Sequence, residues 1–177
     1  AGLYGRHRLG GNFNLTGMFG LDYNLIESKR NVATVGSFQG GTAKSNYNSW
    51  GAFAGARIDR PIKLESSNSY ITPFAELTYA GQNFSAISEN DAGDLGYDLD
   101  ATSAHALVGG VGFDVSHGWD NEGIEYGIDA FFRYEHDFLA NSSAEHSVHV
   151  QSQLTGHETS LFGIGRGSEG LSAGIGF

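Results

Sequence analysis

Apolar and polar side chains alternate from residue 124 to residue 138, a segment about twice as long as an ordinary β-strand. A period of two places the charges on one face of a strand, whereas a helix would spread them around its circumference. The apolar positions are Ile124, Tyr126, Ile128, Ala130, Phe132, Tyr134 and Phe138, and the polar positions are Glu125, Asp129, Arg133, Glu135 and Asp137. The segment therefore predicts a long strand with one apolar and one charged face.

The same alternation recurs along the rest of the chain. It is strong over residues 13–25, where Phe19 and Leu21 share the apolar parity, and weaker elsewhere. The other segments are 2–6, 50–58, 71–79, 105–115, 157–165 and 170–177. The sequence predicts eight strands or partial strands and no helix.

The connections between these strands alternate in length. The short ones cover residues 7–12, 60–69, 116–123 and 166–170, and the long ones cover residues 27–46, 84–103 and 139–156. Outer-membrane barrels have short periplasmic turns and long external loops, whereas a soluble lipocalin-like barrel has no reason to sort its connections in this way. We therefore expect residues 1–177 to form one all-β, antiparallel transmembrane β-barrel domain, with the acidic run Glu89 to Asp100 as a solvated external loop.

Composition excludes several other classes of protein. The chain has no cysteine, which rules out a disulfide framework and thiolate chemistry. A formal net charge of -10 without clustered Lys and Arg argues against nucleic acid as a partner. No apolar run approaches the roughly 20 residues of a membrane-spanning helix. The 27 glycines and 20 Phe and Tyr residues (12 Phe, 8 Tyr) instead favour sheets with close backbone approaches.

The barrel hypothesis assigns a face to each parity. The polar parity should face the lumen and the apolar parity the outer-membrane lipids. The lumen-lining polar residues are then Asn14, Arg57, Asp59, Glu76, Asp114, Asp129, Arg133 and Glu135. The lipid-facing residues are Phe19, Leu21, Leu77, Ile128, Phe132 and Tyr134. Aromatic residues near strand ends, expected in the interfacial girdles, are Tyr47, Trp50, Tyr70, Trp119 and Tyr126.

The predicted topology also says where the terminal strands point. If the short turns are periplasmic, the strand before residues 7–12 descends and the strand after residues 166–170 ascends. Complete barrels begin and end in the periplasm with an even number of strands. We therefore expect at least one further strand beyond each end, unless the topology is inverted.

Four segments resemble successive strands of a known family. "SYITPFAELTYAGQNF", "SAHALVGGVGFDV", "YGIDAFFRYEHDF" and "TSLFGIGRG" are similar to strands in the C-terminal β-domain of autotransporters, in order and in spacing. The resemblance implies a translocator barrel of twelve strands, of which this chain matches roughly the fourth to the eleventh. It further implies a Gram-negative outer-membrane location, an N-terminal passenger, a linking helix through the pore, and assembly by the barrel insertion machinery.

Some autotransporters cleave the passenger inside the pore with lumen carboxylates. The resemblance places Asn14, Arg57 and Glu76 at the matching positions, and only Glu76 is an acid. Intrabarrel cleavage is therefore not expected. The lumen charges either line a hydrophilic conduit for the linking helix or form structural cross-strand pairs.

Other functions have weaker support in the sequence. Ser103, His105 and Asp114 could be read as a catalytic triad, but no nucleophile elbow or oxyanion hole accompanies them. His146, His149 and His157 have the wrong spacing on a strand for one metal ion. We expect no enzyme activity, no metal and no cofactor. The alternatives to a translocator are a small closed eight-stranded barrel of the porin or adhesin type and an outer-membrane barrel enzyme.

The closing stretch "GRGSEGLSAGIGF" contains a G-x-G-x-x-G pattern at Gly165, Gly167 and Gly170. Such a pattern cradles a dinucleotide only where a helix follows it. Here Leu171 begins another alternation, so residues 167–170 are predicted to be a turn before a strand.

Overall fold

The computed structural model describes residues 1–65, 68–122, 124–140, 147–162 and 167–177. The twelve strands in these ranges are β1 (Gly2–Arg8), β2 (Asn14–Asn31), β3 (Thr42–Asp59), β4 (Ile62–Lys63), β5 (Ser69–Phe84), β6 (Ile87–Ser88), β7 (Tyr97–Leu99), β8 (Thr102–Asn121), β9 (Ile124–Asp137), β10 (Ser147–Ser152), β11 (Glu158–Phe162) and β12 (Glu169–Gly176). Two short 3-10 helices, Gly10–Asn12 and Gly93–Leu95, are the only helices there. None of the helices in the described ranges is long and apolar enough to cross a membrane.

The strands form two antiparallel sheets. The main sheet has the order β1-β2-β3-β5-β8-β9-β12, and the short β4 pairs with β5. The second sheet has the order β11-β10-β7-β6, and because all four strands lie within the long connections we call it the loop sheet. Within the described residues, β1 and β12 are the edges of the main sheet, which is therefore an open meander there.

Long and short connections lie at opposite ends of the main sheet. Residues 9–13, 60–68 and 122–123 connect strands at one end, and residues 32–41, 85–101 and 138–168 connect strands at the other. The predicted alternation of connection lengths is therefore present, although the strands extend further than expected. β2 and β3 pair as far as Asn31 and Thr42, inside the predicted loop 27–46, and β8 continues to Asn121.

One strand that was predicted for the barrel belongs to the loop sheet instead. Glu158–Phe162 pairs with β10 in the loop sheet, and residues 163–166 lie outside the described residues. The turn before β12 therefore does not follow a strand of the main sheet. β12 is antiparallel to β9, with Glu169 opposite His136 and Gly176 opposite Asp129, so it runs toward the short-connection end. The predicted ascent of this strand was wrong, because alternation identifies a strand without identifying the sheet in which it pairs.

Few side chains of the described residues are buried. The buried apolar residues are Ala43, Phe74, Ala92, Ala140 and Val150, and the buried polar residues are Ser45, Ser49 and Asp59. Large apolar side chains are instead exposed, mainly along one face of the main sheet, where Leu21 and Leu77 are 50% and 49% exposed. The other face also exposes Met18, Phe53 and Phe131. No part of the chain that the structure describes covers this face, and an exposed apolar surface of this extent is typical of a site of contact with protein, ligand or membrane.

Candidate functional site

A network of charged side chains crosses four strands on one face of the main sheet. Arg57 of β3 contacts Asp114 of β8 at 2.6 Å and Glu76 of β5 at 4.0 Å. Arg133 of β9 contacts Glu76 and lies 2.8 Å from Glu135. We call these five residues the charge network and their side of the sheet the polar face. Sequence parity had grouped all five, and the structure brings them together.

The register and two glycines make room for this network. Arg57 is directly opposite Glu76, which in turn is directly opposite Gly110. A Cβ on Gly110 would lie 2.9 Å from Glu76 Oε1 and 3.4 Å from Arg133 Nε, so glycine leaves space for the two side chains to meet. The Arg57 guanidinium also lies 3.7 Å from the centre of the Phe74 ring, whose tip covers Gly112. Cation–π attraction and ion pairing therefore fix the position of the Arg57 side chain.

The charges of the network largely satisfy one another. The Glu76 side chain is only 13% exposed and lies between the two arginines, which compensates its desolvation. Within the described residues, Glu76 Oε1 and Arg133 Nε are buried and have no hydrogen-bond partner. Arg133 therefore contacts Glu76 as an ion pair through its Nη2 atom and not as a bidentate fork. The network is thus already paired before any ligand arrives.

A second group on the polar face surrounds Asp59, near the short connections. This buried carboxylate accepts a hydrogen bond from Asn14 Nδ2 at 2.8 Å and one from Arg6 Nη2 at 3.3 Å. Asp129 shares the face with Arg133 by strand alternation, lies opposite Ser116 and is exposed. All eight polar residues singled out by the sequence therefore lie on the same face.

Sequence reasoning missed a third polar group, near the long connections. The fully buried Ser49 hydroxyl accepts hydrogen bonds from Gln82 Nε2 at 2.9 Å and from Asn24 Nδ2 at 3.3 Å, and Asn24 also binds Asp22. Gly51 leaves room for the Asp22 and Gln82 side chains to approach. The polar parity of Asp22 and Asn24 is visible in the sequence. Their partners, Ser49 on β3 and Gln82 on β5, are neutral residues that can be identified only when the strand register is known.

The opposite face, the apolar face, carries all six residues predicted to face lipid. Phe132 stacks on Phe113 with ring centres 5.7 Å apart, and its exposed neighbours include Leu77 and Tyr134. Polar groups that were not predicted also lie on this face, among them Glu169, which accepts a hydrogen bond from Tyr134 and lies 2.8 Å from His136 Nδ1. The two faces thus differ sharply in chemistry along the same strands.

Of the predicted girdle residues, three lie on the apolar face. Trp119 and Tyr126 are paired across β8 and β9 at the short-connection end and stack at 5.7 Å, and Trp50 lies toward the other end. Tyr47 and Tyr70 have the opposite parity and therefore lie on the polar face. Ser49, two residues after Tyr47 on the same strand, lies on that face as well. Position near a strand end does not fix the face, which explains this difference.

Comparison with known protein families accounts for this two-faced meander. The model of the autotransporter β-domain matches residues 1–177, which is the whole chain. The chain belongs to the autotransporter β-domain family. It is an outer-membrane translocator domain of Gram-negative bacteria that serves the secretion of a passenger. The chain has no significant match among curated proteins.

The autotransporter β-domain is a transport domain and not a catalytic family. The suggested triad is not assembled here: His105 Nδ1 is 2.8 Å from the Tyr79 hydroxyl on the apolar face, and Asp114 binds Arg57 on the polar face. His105 and Asp114 are nine residue steps apart, which separates them by about 30 Å along β8. Glu76, the one acid at the positions linked to passenger cleavage, contacts both arginines of the charge network.

The structure also locates the histidines considered for a metal. His149 Nδ1 lies 3.1 Å from Ser160 Oγ, and His146 lies outside the described residues. Across the described ranges, no group of three or more His, Cys, Asp or Glu side chains could hold a metal ion.

The long connections of this β-domain interlock. Arg30 at the end of β2 forms two hydrogen bonds with Glu89, at 3.0 and 2.5 Å, and this contact lowers the pKa of the Glu89 carboxyl. Gln153 donates to the Glu89 carbonyl and to Asp98, both at 2.9 Å, which ties residues 138–168 to residues 85–101. The run from Glu89 to Asp100, predicted as a solvated loop, therefore carries β7 and anchors the loop sheet.

Proposed function

We propose that the polar face lines the interior of a closed translocator barrel and that the apolar face contacts the outer-membrane lipids. The observation that carries this proposal is the division of the same seven strands into a face with paired charges and a face with exposed apolar side chains. A lipid-facing surface gains from large apolar groups, whereas a wet interior tolerates charges that pair with one another.

The strand count supports a larger closed barrel. β1 and β12 are separated by five strands of an antiparallel meander, so they run in the same direction. An all-antiparallel barrel needs an even number of strands, and seven therefore require at least one more for closure. We propose the twelve strands that the family resemblance implies, because eight strands leave an interior filled by side chains and twelve leave room for a helix. A structure of the full-length protein in which β1 pairs directly with β12 would refute this count.

The interior would guide the passenger's linking segment through charges that are fixed in place. Arg57, Glu76 and Arg133 are paired with one another, so none of these charges is free to bind the linking segment strongly. The segment would therefore contact a polar surface whose charges are already compensated. Exposed acids such as Asp129 leave acceptors available for weak contacts. The proposed partner for insertion of this barrel is the barrel assembly machinery of the outer membrane, as the family resemblance implies.

Adjacent residues of β9 provide a direct test of the two faces. Because the chain has no cysteine, Ile128→Cys and Asp129→Cys can each be labelled in the full-length protein reconstituted into lipid vesicles, after any passenger cysteine is replaced. A water-soluble maleimide should label the cysteine at position 129 and leave the one at position 128 unreacted until the vesicles are dissolved and the protein is denatured. Labelling with the reverse preference would contradict the assignment of the faces.

A further inference from the structure

Within the described residues, the apolar face carries one arginine, Arg60, which directly follows the last residue of β3. The alternation of β3 continues from Ile58 through Arg60 to Ile62, and both isoleucines are exposed on the apolar face. The Arg60 guanidinium lies 5.2 Å from the centre of the Phe13 ring, which is exposed as well. A cation therefore lies among apolar side chains near the short connections.

The backbone around Arg60 is held in one conformation. The Arg60 N–H donates to the Pro73 carbonyl of β5 at 3.1 Å. The next residue is Pro61, which disfavours a helical backbone at Arg60 and keeps it extended. The cation–π contact with Phe13 orients the side chain without using its N–H groups, and no described residue accepts a hydrogen bond from them. The guanidinium is therefore positioned and free to bind an acceptor.

No carboxylate among the described residues pairs with Arg60. The preceding Asp59 points to the polar face, where it already accepts hydrogen bonds from two side chains. The described strands of the main sheet carry two acids on the apolar face, Glu27 and Glu169, and both lie toward the long connections. A cation without a partner is costly beside lipid, so the surroundings of Arg60 must supply an anion.

The position of Arg60 indicates which anion this is. Trp119 and Tyr126 stack on the same face at the same end of the sheet, as expected at the boundary between acyl chains and headgroups. The anion that a phospholipid presents at this boundary is its phosphodiester, and a guanidinium can bind phosphate through two parallel N–H groups. The exposed isoleucines on either side of Arg60 suit the acyl chains of the same molecule.

We infer that Arg60 is the centre of a binding site for a phospholipid of the periplasmic leaflet. The inference rests on the proposed function, because it requires the apolar face to contact lipid and the short connections to be periplasmic. The Arg60 guanidinium binds the phosphate, Phe13 is a positioning residue that orients the guanidinium, and Ile58 and Ile62 contact the acyl chains. The site fixes the depth of the sheet relative to the phosphate groups of this leaflet.

Arg60→Gln and Arg8→Gln are a matched pair for testing this site. Arg8 lies near the same end on the polar face, and its side chain donates to Asn12 at 3.4 Å. The full-length protein is held in an uncharged detergent and titrated with phosphatidylglycerol or, separately, with a diacylglycerol that has the same acyl chains. Native mass spectrometry counts the retained lipid.

Wild type and Arg8→Gln should bind phosphatidylglycerol about tenfold more tightly than diacylglycerol, which is the contribution of one charge-assisted contact. Arg60→Gln should bind the two lipids equally. Phe13→Leu, which keeps an apolar side chain without the ring, should lose part of the preference. An unchanged preference in Arg60→Gln, or an equal loss in Arg8→Gln, would overturn the site. Displacement of phosphatidylglycerol by an equal concentration of inorganic phosphate would overturn it too, because the site would then bind a free anion.

A second measurement separates this inference from the proposed function. Phospholipids with brominated acyl chains quench tryptophans that they contact, so in vesicles of these lipids wild type should lose more emission per molecule than Trp119→Phe does. Arg60→Gln should be quenched as wild type is, which shows that the variant is folded. If this quenching is seen but Arg60→Gln keeps the preference for phosphatidylglycerol, the face assignment stands and the site fails. If wild type and Trp119→Phe lose the same emission, the proposed lipid face fails together with the site.

Discussion

The main sheet and the loop sheet obtain their order in different ways. The main sheet has long strands, up to the 20 residues of β8, whose paired backbones fix the register and place every second side chain on the same face. The strands of the loop sheet have two to six residues, β6 and β7 being shorter than most strands, and side-chain hydrogen bonds such as those of Gln153 connect them. The stability of the main sheet should therefore depend on the environment of each face. The stability of the loop sheet should depend on pH and on individual side chains.

The largest effect is expected at two adjacent phenylalanines of β9. Phe132 stacks on Phe113 on the apolar face, and the Phe131 ring fills the space beside Gly174 on the polar face. Phe132→Arg should destabilise the protein by about 2–4 kcal/mol in a bilayer, since it places a charge against lipid. Phe131→Arg should cost only about 1 kcal/mol, since its charge faces Asp114 across the strand pair.

Denaturant unfolding of the full-length protein in lipid vesicles measures both variants, and each acts as the control for the other. Equal losses, or a larger loss for Phe131→Arg, would mean that the contrast between the two faces is wrong.

The next effect concerns the charge network inside the main sheet. Arg133→Ala leaves the nearly buried Glu76 with only the 4.0 Å contact to Arg57, so we expect a loss of about 1–3 kcal/mol. The double variant Arg133→Ala/Glu76→Gln should recover part of this loss, because it removes the uncompensated charge.

Asp129→Asn is the matched control on the same face, since Asp129 has no ion pair within the described residues. It should change the free energy of unfolding by no more than about 0.5 kcal/mol. A double variant that is less stable than Arg133→Ala would indicate that Glu76 contributes through hydrogen bonds and not through its charge.

The sequence predicts the main sheet better than the loop sheet for a physical reason. Alternation over a dozen or more residues separates two faces of a strand, so the prediction that residues such as Arg57 and Phe132 lie on opposite faces agrees with the strand register, whereas the medium that each face meets stays a prediction. The segment Glu158–Phe162 alternates as well, but its partner is β10, and no local pattern encodes that pairing. The contacts of Ser49 with Gln82 and Asn24 were missed for the same reason, because neutral side chains become a cluster only once the register is known.

The smallest effect, and the one that most sharpens the contrast, concerns Arg30 and Lys29 at the end of β2. Arg30 binds Glu89 of the loop sheet, whereas the neighbouring Lys29 has no ion pair within the described residues. Because Arg30 is partly exposed, Arg30→Met should cost at most about 1 kcal/mol. Hydrogen exchange should nevertheless quicken across residues 85–101 and 147–152 and stay unchanged in β8 and β9, and Lys29→Met should leave all of these rates at their wild-type values.

Acid should reproduce the Arg30→Met effect in the wild-type protein. The contact with Arg30 lowers the pKa of Glu89 below its ordinary value of 4.5, so the ion pair contributes fully above that pH and is lost as the pH falls through the lowered pKa. Hydrogen bonds from Ser88 and Gln153 lower the pKa of Asp98, so its protonation also destabilises the loop sheet in acid. This contribution of Asp98 remains in the Arg30→Met variant. The protection factors of the loop sheet, which correct for the slower intrinsic exchange in acid, should therefore fall as the pH drops through the lowered pKa of Glu89, and they should fall less in Arg30→Met. If acid opened β8 and β9 together with the loop sheet, the two sheets would form one cooperative unit and the contrast between them would fail.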